Sequence, residues 1–209
     1  QSTIQKAKKA LIEKGIYPSW EEHGGNKQHA WWVDHYNNWN QVCNGSMIAA
    51  SVAIAEDDPE LAAKTIKRAL DGIPHVLYED YYPDGVNPEG AGYWNYATSY
   101  ALLTASILET AFGSDFGYRE YPGFMESATF MVMCSNLPSG WYYNYADCAN
   151  KPKVDGNINL AWFATETGKS MYYDKEEFLT PAKDIRLSYL TGAALSWMSR
   201  YEVQSTEEP

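Results

Sequence analysis

"NWNQVCNGSMIAASVAIAE", residues 38–56, predicts a helix that is buried on every side, because small and apolar residues occupy nearly all of its positions. The following stretch, 59–79, starts with a proline after Asp58 and is amphipathic at the helical period. Residues 92–112 are again apolar nearly all round. Buried helices that alternate with half-exposed ones are what a double-layered ring of helices requires.

The remainder of the chain continues this helical pattern. Further helices are predicted over 2–14, 123–135, 157–168 and 184–201. Only 139–150, "SGWYYNYADCAN", reads as a short strand or a turn. We therefore expect an all-α fold, an incomplete (α/α) toroid over residues 1–200, with a disordered tail at 201–209. No exact repeat is visible, which disfavours a regular solenoid.

Composition narrows the classes of function. The chain has 209 residues, enough for one medium domain with a real core, and a net charge of −11. That charge argues against nucleic-acid binding, which needs a basic footprint, while an anionic glycan can still bind at one local patch. The 17 Tyr and 8 Trp supply flat faces on which sugar rings stack, or else a core rich in tyrosine.

Several kinds of site and segment are not indicated by the sequence. Three cysteines are too few for a disulfide framework, and neither CxxC nor HExxH occurs, so we expect no metal and no cofactor. No apolar run reaches ~18 residues, so we expect no membrane span. The chain starts at Gln1 with a helical pattern and no initiator methionine, so we expect a piece of a longer protein.

An asparagine cluster, "NNWNQVCNGS" at 37–46, opens the buried helix. Asn38 or Asn40 is a candidate helix cap, and Asn44 lies one turn after Asn40 on the same helix face. Two interpretations stay open. The amides form a capping network, or they are presented to a ligand, because a neutral amide can donate to a carboxylate.

A glycine-rich loop, "GVNPEGAGYWNYATSY" at 85–100, precedes the second buried helix. Tyr93, Tyr96 and Tyr100 fall at i, i+3 and i+7 on one face, a pattern that is more often core than catalytic. Tyr93 differs because it lies in the first turn, where the positive end of the helix dipole favours a phenolate. Glu89 and Trp94 flank it.

These two motifs, in this order, resemble the heparinase II/III-like polysaccharide lyases, including their oligoalginate-lyase relatives. The later segments "PGFMESATFM" and "YYNYADC" also fit, so the resemblance covers about residues 35–165. It implies an (α/α) toroid followed by a C-terminal β-sandwich that this chain does not contain. It also implies a periplasmic or secreted protein whose partner is an acidic polysaccharide or oligosaccharide.

The resemblance further implies β-elimination on a uronic acid. Asn44 would bind the sugar carboxylate and acidify the C5 proton, and Tyr93 would act as the acid, and in some members also as the base. Relatives with His at position 44 can use it as the base, and a further His often comes from the sandwich, so we expect little activity from this chain alone. Around this pair we expect five residues to bind the substrate: Trp39, Asn40, Glu89, Trp94 and Tyr96.

Two alternatives come from other classes. A glycoside hydrolase would use Asp84 and Glu89 as its paired carboxylates, although Asp84 in "PDG" is a common turn residue. A non-catalytic glycan-binding domain would stack sugars on Trp39, Trp94 and the tyrosines. Elimination leaves a conjugated uronate that absorbs ultraviolet light, whereas hydrolysis leaves no such product. A binding domain shows no turnover of either kind.

Overall fold

The structure is a computed structural model that describes residues 2–21, 30–135, 141–148 and 158–169, with Tyr172, Gly192, Ala193, Ser196 and Trp197. Helices of all types make up 74% of these residues, and no β-strand occurs among them. The all-α prediction is therefore confirmed. The helix predicted over 184–201, apart from four residues, and the tail at 201–209 lie outside the described residues.

Six α-helices follow one another along the described chain: α1 Thr3–Ala10, α2 Asn38–Ile54, α3 Pro59–Tyr81, α4 Ala91–Phe112, α5 Ser127–Ser135 and α6 Ile158–Thr167. A π-helical turn, Leu11–Ile16, and a 3-10 turn, Tyr17–Trp20, extend α1. Two further 3-10 segments, Trp31–Asp34 and Ala146–Cys148, lie in connections. The helix expected from Gly123 begins at Ser127, because Gly123 has a φ of +84°, in the left-handed region.

Local capping explains where the long helices begin and end. The Asp58 carboxylate accepts a hydrogen bond from the Leu61 N–H at 3.0 Å, and Pro59 follows as the first helical residue of α3. At α2 the cap is Asn37, whose side chain accepts from the Trp39 N–H at 3.2 Å, so the expected cap at Asn38 or Asn40 was wrong. Gly113, with a φ of +74°, ends α4.

The helices α2 and α3 run antiparallel, as contacts along their length show. Early in α2, Gln41 bonds to Asp80 near the end of α3, whereas one turn later Asn44 packs against Gly72. The far ends share a small apolar cluster that includes Ala50, Ile54, Leu61 and Ala62.

The helices α2 and α4 run parallel, and both begin at the same end of the molecule. Asn38 and Val42 meet Tyr93 and Tyr96 there, around one cleft. About two turns further along, Gly45 approaches α4 so closely that a Cβ would lie 2.4 Å from the Thr104 Oγ1. Residue numbers thus advance together on both helices, which requires a parallel arrangement.

The main core extends from α2 and α3 across α4 to α5 and α6. Trp94 of α4 stacks on Phe163 of α6, with ring centroids 6.0 Å apart, and Phe124 packs against both Phe163 and Trp162. The Asn159 side chain donates to the Asn95 carbonyl at 2.9 Å and so fixes α6 against the start of α4. This packing holds the first turns of α4 in place at the cleft.

Candidate functional site

A cleft of about 340 Å³ lies at the end where α2 and α4 both begin. Its volume is at the small end of the range for ligand sites. The described residues that line it are Asn37, Asn38, Trp39, Val42, Glu89, Tyr93 and Tyr96. The structure thus brings together four of the residues chosen from the sequence, Trp39, Glu89, Tyr93 and Tyr96, and adds three that the sequence reasoning did not choose.

The loop before α4 is held tightly against the segment Ala146–Cys148. A Cβ at Gly90 would lie 2.8 Å from the Cys148 Cβ, and one at Gly92 would lie 2.8 Å from the Cys148 carbonyl oxygen. The Tyr145 hydroxyl also donates to the Asn87 carbonyl, and the Glu89 N–H donates to the Asn87 side chain at 3.0 Å. Glycine is needed at positions 90 and 92 because the backbone approaches Cys148 too closely for a larger side chain. This close packing fixes Glu89 and Tyr93 beside the cleft.

Glu89 is the one acidic side chain among the described cleft-lining residues. Partial burial raises the pKa of its carboxyl, and the negative charge of Asp147 raises it further. Glu89 therefore keeps its proton to a higher pH than a free carboxyl does. A protonated Glu89 can donate a hydrogen bond to an anionic ligand.

A second carboxyl, Asp80, is buried next to the cleft. Its Oδ2 accepts a 2.6 Å hydrogen bond from Gln41 Nε2, and the Tyr81 hydroxyl donates to Gln41 Oε1 at 3.3 Å. Burial, reinforced by the charge of Glu89, raises the pKa of Asp80 to about 7. Because Asp80 and Glu89 interact, the proton on one carboxyl depends on the charge of the other.

Positive charge at the cleft comes from the backbone. Among the described residues that line it, none is Lys, Arg or His. The N-terminal ends of α2 and α4 both lie there, and each carries the positive end of a helix dipole. The arrangement can receive a single carboxylate through dipoles and the Asn38 amide, without a charged side chain.

Asn40 and Asn44 lie elsewhere than expected, because both are fully buried and neither lines the cleft. The Asn40 amide donates to the carbonyls of Val33, His35 and Gly72, at 3.1, 2.8 and 2.9 Å. Asn44 Nδ2 donates to the Val33 carbonyl and to Asn40 Oδ1, both at 2.9 Å. The placement favours the network interpretation over presentation of these two amides to a ligand.

Trp94 and Asp84 also lie away from the cleft. Trp94 is fully buried in the core against Phe163, so the expectation that it borders the cleft is corrected. Asp84 is exposed in the preceding loop, where its side chain accepts from the Val86 N–H at 3.3 Å, the turn role that "PDG" indicates. The three lining residues missed from the sequence are Asn37, Asn38 and Val42. Their one signal is the i, i+4 spacing of Asn38 and Val42 on a single helix face.

Metal sites, membrane-spanning helices and known relatives give no further indication of function. The described part of the chain holds no group of three or more His, Cys, Asp or Glu side chains placed to bind a metal ion. Within that same part, no helix is both long and apolar enough to cross a bilayer. Neither a protein-family model nor a curated protein matches the sequence.

Proposed function

We propose that the chain forms the toroid part of a secreted or periplasmic polysaccharide lyase that cleaves a uronic-acid-containing glycan by β-elimination. One observation carries the proposal. Tyr93 lines a cleft of ligand size together with Trp39 and Asn38, at the end where two helices begin. The cleft thus offers a sugar platform, a carboxylate partner and a group that can transfer a proton.

The reaction needs one proton removed and one delivered. The C5 proton leaves, its electron pair forms the C4=C5 double bond, and the C4–O bond breaks with the pair going to oxygen. Tyr93 delivers its proton to that leaving oxygen and so acts as the general acid. A general base, Tyr93 itself in its phenolate form or a group outside this chain, accepts the C5 proton.

Acidifying the C5 proton requires that the sugar carboxylate be partly neutralised. In this proposal the role implied for Asn44 passes to Asn38, because Asn38 lines the cleft and Asn44 does not. The N-terminal ends of α2 and α4 assist. Such fixed donors stabilise the enolate as it develops, by the same electrostatics as an oxyanion hole.

Replacement of the Tyr93 hydroxyl tests the proposal. In the protein that carries this chain with any domain that completes the cleft, Tyr93→Phe is expected to lower turnover at least ~100-fold and leave binding nearly unchanged. Turnover is measured by the absorbance of the conjugated uronate. Tyr96→Phe is the matched control, because it removes one hydroxyl from the same cleft, and it should retain most turnover. Full activity of Tyr93→Phe would show that the assignment is wrong.

A glycoside hydrolase remains the second candidate, because Glu89 is a carboxyl that lines the cleft. The pair Asp84 and Glu89 is less suitable for it, because Asp84 serves the turn. A hydrolase would release sugars without a conjugated product and would lose turnover in Glu89→Gln. Binding without any turnover would instead indicate a glycan-binding domain.

A further inference from the structure

The aromatic surface does not stop at the edge of the cleft. Trp39, which lines the cleft, contacts Trp31 with ring centroids 5.6 Å apart and planes tilted by 55°. His35 packs edge-on against Trp31 at 5.0 Å. The two tryptophans are 52% and 50% exposed, so both offer ring surface to a ligand. We call Trp31, His35 and Trp39 the aromatic shelf.

Two buried asparagines, Asn40 and Asn44, hold the aromatic shelf in place on α2. Asn40 and Asn44 both donate to the carbonyl of Val33, in the short segment Trp31–Asp34 that carries Trp31. Asn40 also donates to the His35 carbonyl, one residue beyond that segment. These bonds fix the segment on α2 before any ligand arrives, which lowers the entropy cost of binding to it. The two amides thus act as positioning groups for the shelf.

We propose that the aromatic shelf is a second sugar-binding subsite, continuous with the cleft, so that the protein binds several consecutive sugars of a glycan chain. The inference rests on the proposed function, because it extends the same site to its substrate. Trp39 is shared by both parts, while Trp31 contacts only the sugars beyond the cleft. Affinity should therefore grow with the length of the oligosaccharide.

A glycan suits the shelf better than other partners do. A sugar ring presents an apolar face to an aromatic ring and keeps its charged group at the edge, so stacking needs no cation. Membrane-binding surfaces combine aromatic residues with Lys or Arg, and residues 30–45 contain neither. Exposed aromatic surface of this kind marks a binding site in general, and its continuity with the cleft indicates the ligand of the cleft.

The test compares short and long ligands. The probes are acidic oligosaccharides of the alginate, pectin, heparan and chondroitin types, each as a disaccharide and as a long oligomer, titrated calorimetrically into the chain. For the type that binds, the long oligomer should bind more tightly. Trp31→Ala should weaken the long oligomer about tenfold and change the disaccharide less than about twofold. Trp31→Phe should restore most of the loss.

The matched control is Phe112→Ala, which removes a ring that is 51% exposed at the opposite end of α4. It should leave both affinities unchanged, and circular dichroism checks that each variant is folded. Equal loss for both lengths in Trp31→Ala, no loss at all, or no binding of any probe would overturn the proposal. So would a dimer that Trp31→Ala dissociates, or binding to vesicles in place of sugars.

Failure of the proposed function gives a different result. If the shelf binds long oligomers but the protein that carries this chain with any domain that completes the cleft forms no conjugated uronate, elimination is refuted and the subsite stands. If Tyr93→Phe loses elimination while Trp31→Ala leaves the dependence on length intact, the lyase stands and the subsite is refuted.

Discussion

We expect Glu89 to make the affinity of the cleft for the proposed uronate depend on pH. Below its raised pKa the carboxyl is neutral and can donate to a carboxylate, and above that pKa its charge repels such a ligand. Affinity should therefore fall as pH rises through the pKa of Glu89, and Glu89→Gln should remove that fall. Titrations of the Tyr93→Phe background over a pH series measure it, with Asp84→Asn, an exposed carboxyl in the same loop, as the control. An unchanged pH dependence in Glu89→Gln would contradict this assignment.

For single residues, the sequence was a good guide to which motifs lie together. It was a poorer guide to which side chains face outward. The glycine loop correctly indicated that Tyr93 and Glu89 lie at a surface. Trp94, the residue after Tyr93, lies about 100° further round the helix and therefore faces the core. The motif alone does not show where the exposed face of the helix ends and the buried face begins. Among the asparagines, Asn44 is buried because the segment Trp31–Asp34 covers it, a tertiary contact that no local pattern reveals.

The contact between α3 and the segment Trp31–Asp34 depends on a missing side chain. A Cβ at Gly72 would lie 2.1 Å from the Val33 carbonyl oxygen, which is backbone and cannot move aside cheaply. Gly72→Ala should therefore lower the free energy of unfolding by about 2 kcal/mol or more, although alanine is the better helix former by about 1 kcal/mol.

Gly15→Ala provides the matched control for this prediction. It lies in the helical turn after α1, and a Cβ there would meet no atom within 4 Å. The substitution should be neutral or stabilising by up to about 1 kcal/mol. Urea denaturation of both variants measures the difference, and equal effects of the two would refute the close contact at Gly72.

Whole helices were the part of the fold that the sequence predicted best. Asp58 with Pro59 at the start of α3, and Gly113 after the end of α4, are local signals whose physics does not depend on the rest of the molecule. The order of buried and amphipathic helices predicted the all-α class for the same reason. Closure of the helices into a toroid depends on contacts between distant elements, and it stays a prediction.

The stability of the molecule as a whole should fall as pH rises, through Asp80. Its pKa is about 7 in the folded chain and has the ordinary value of 3.8 when the chain is unfolded. The folded state therefore binds this proton more strongly, and the stability it gives is complete below about pH 4 and is lost as pH rises through about 7. Asp80→Asn keeps an acceptor for Gln41 without the charge, so it should stabilise the chain above pH 7 by about 4 kcal/mol and change little below pH 4.

Chemical denaturation of the wild type and of Asp80→Asn at a series of pH values isolates this group from the others. Asp71→Asn, which replaces an exposed carboxyl on the same helix, is the control for an Asp-to-Asn exchange. Equal effects of Asp80→Asn at acid and neutral pH would show that Asp80 titrates normally.

The close approach of α2 and α4 at Gly45 bears on how the width of the cleft can change. A Cβ at position 45 would lie 2.4 Å from the Thr104 Oγ1, about two turns away from the lining residues Asn38 and Tyr93. An alanine there requires the Thr104 side chain to shift, whereas a bulkier residue would act as a wedge between the two helices. Paired exchanges at 45 and 104 would therefore tune the aperture of the cleft without altering any residue that lines it.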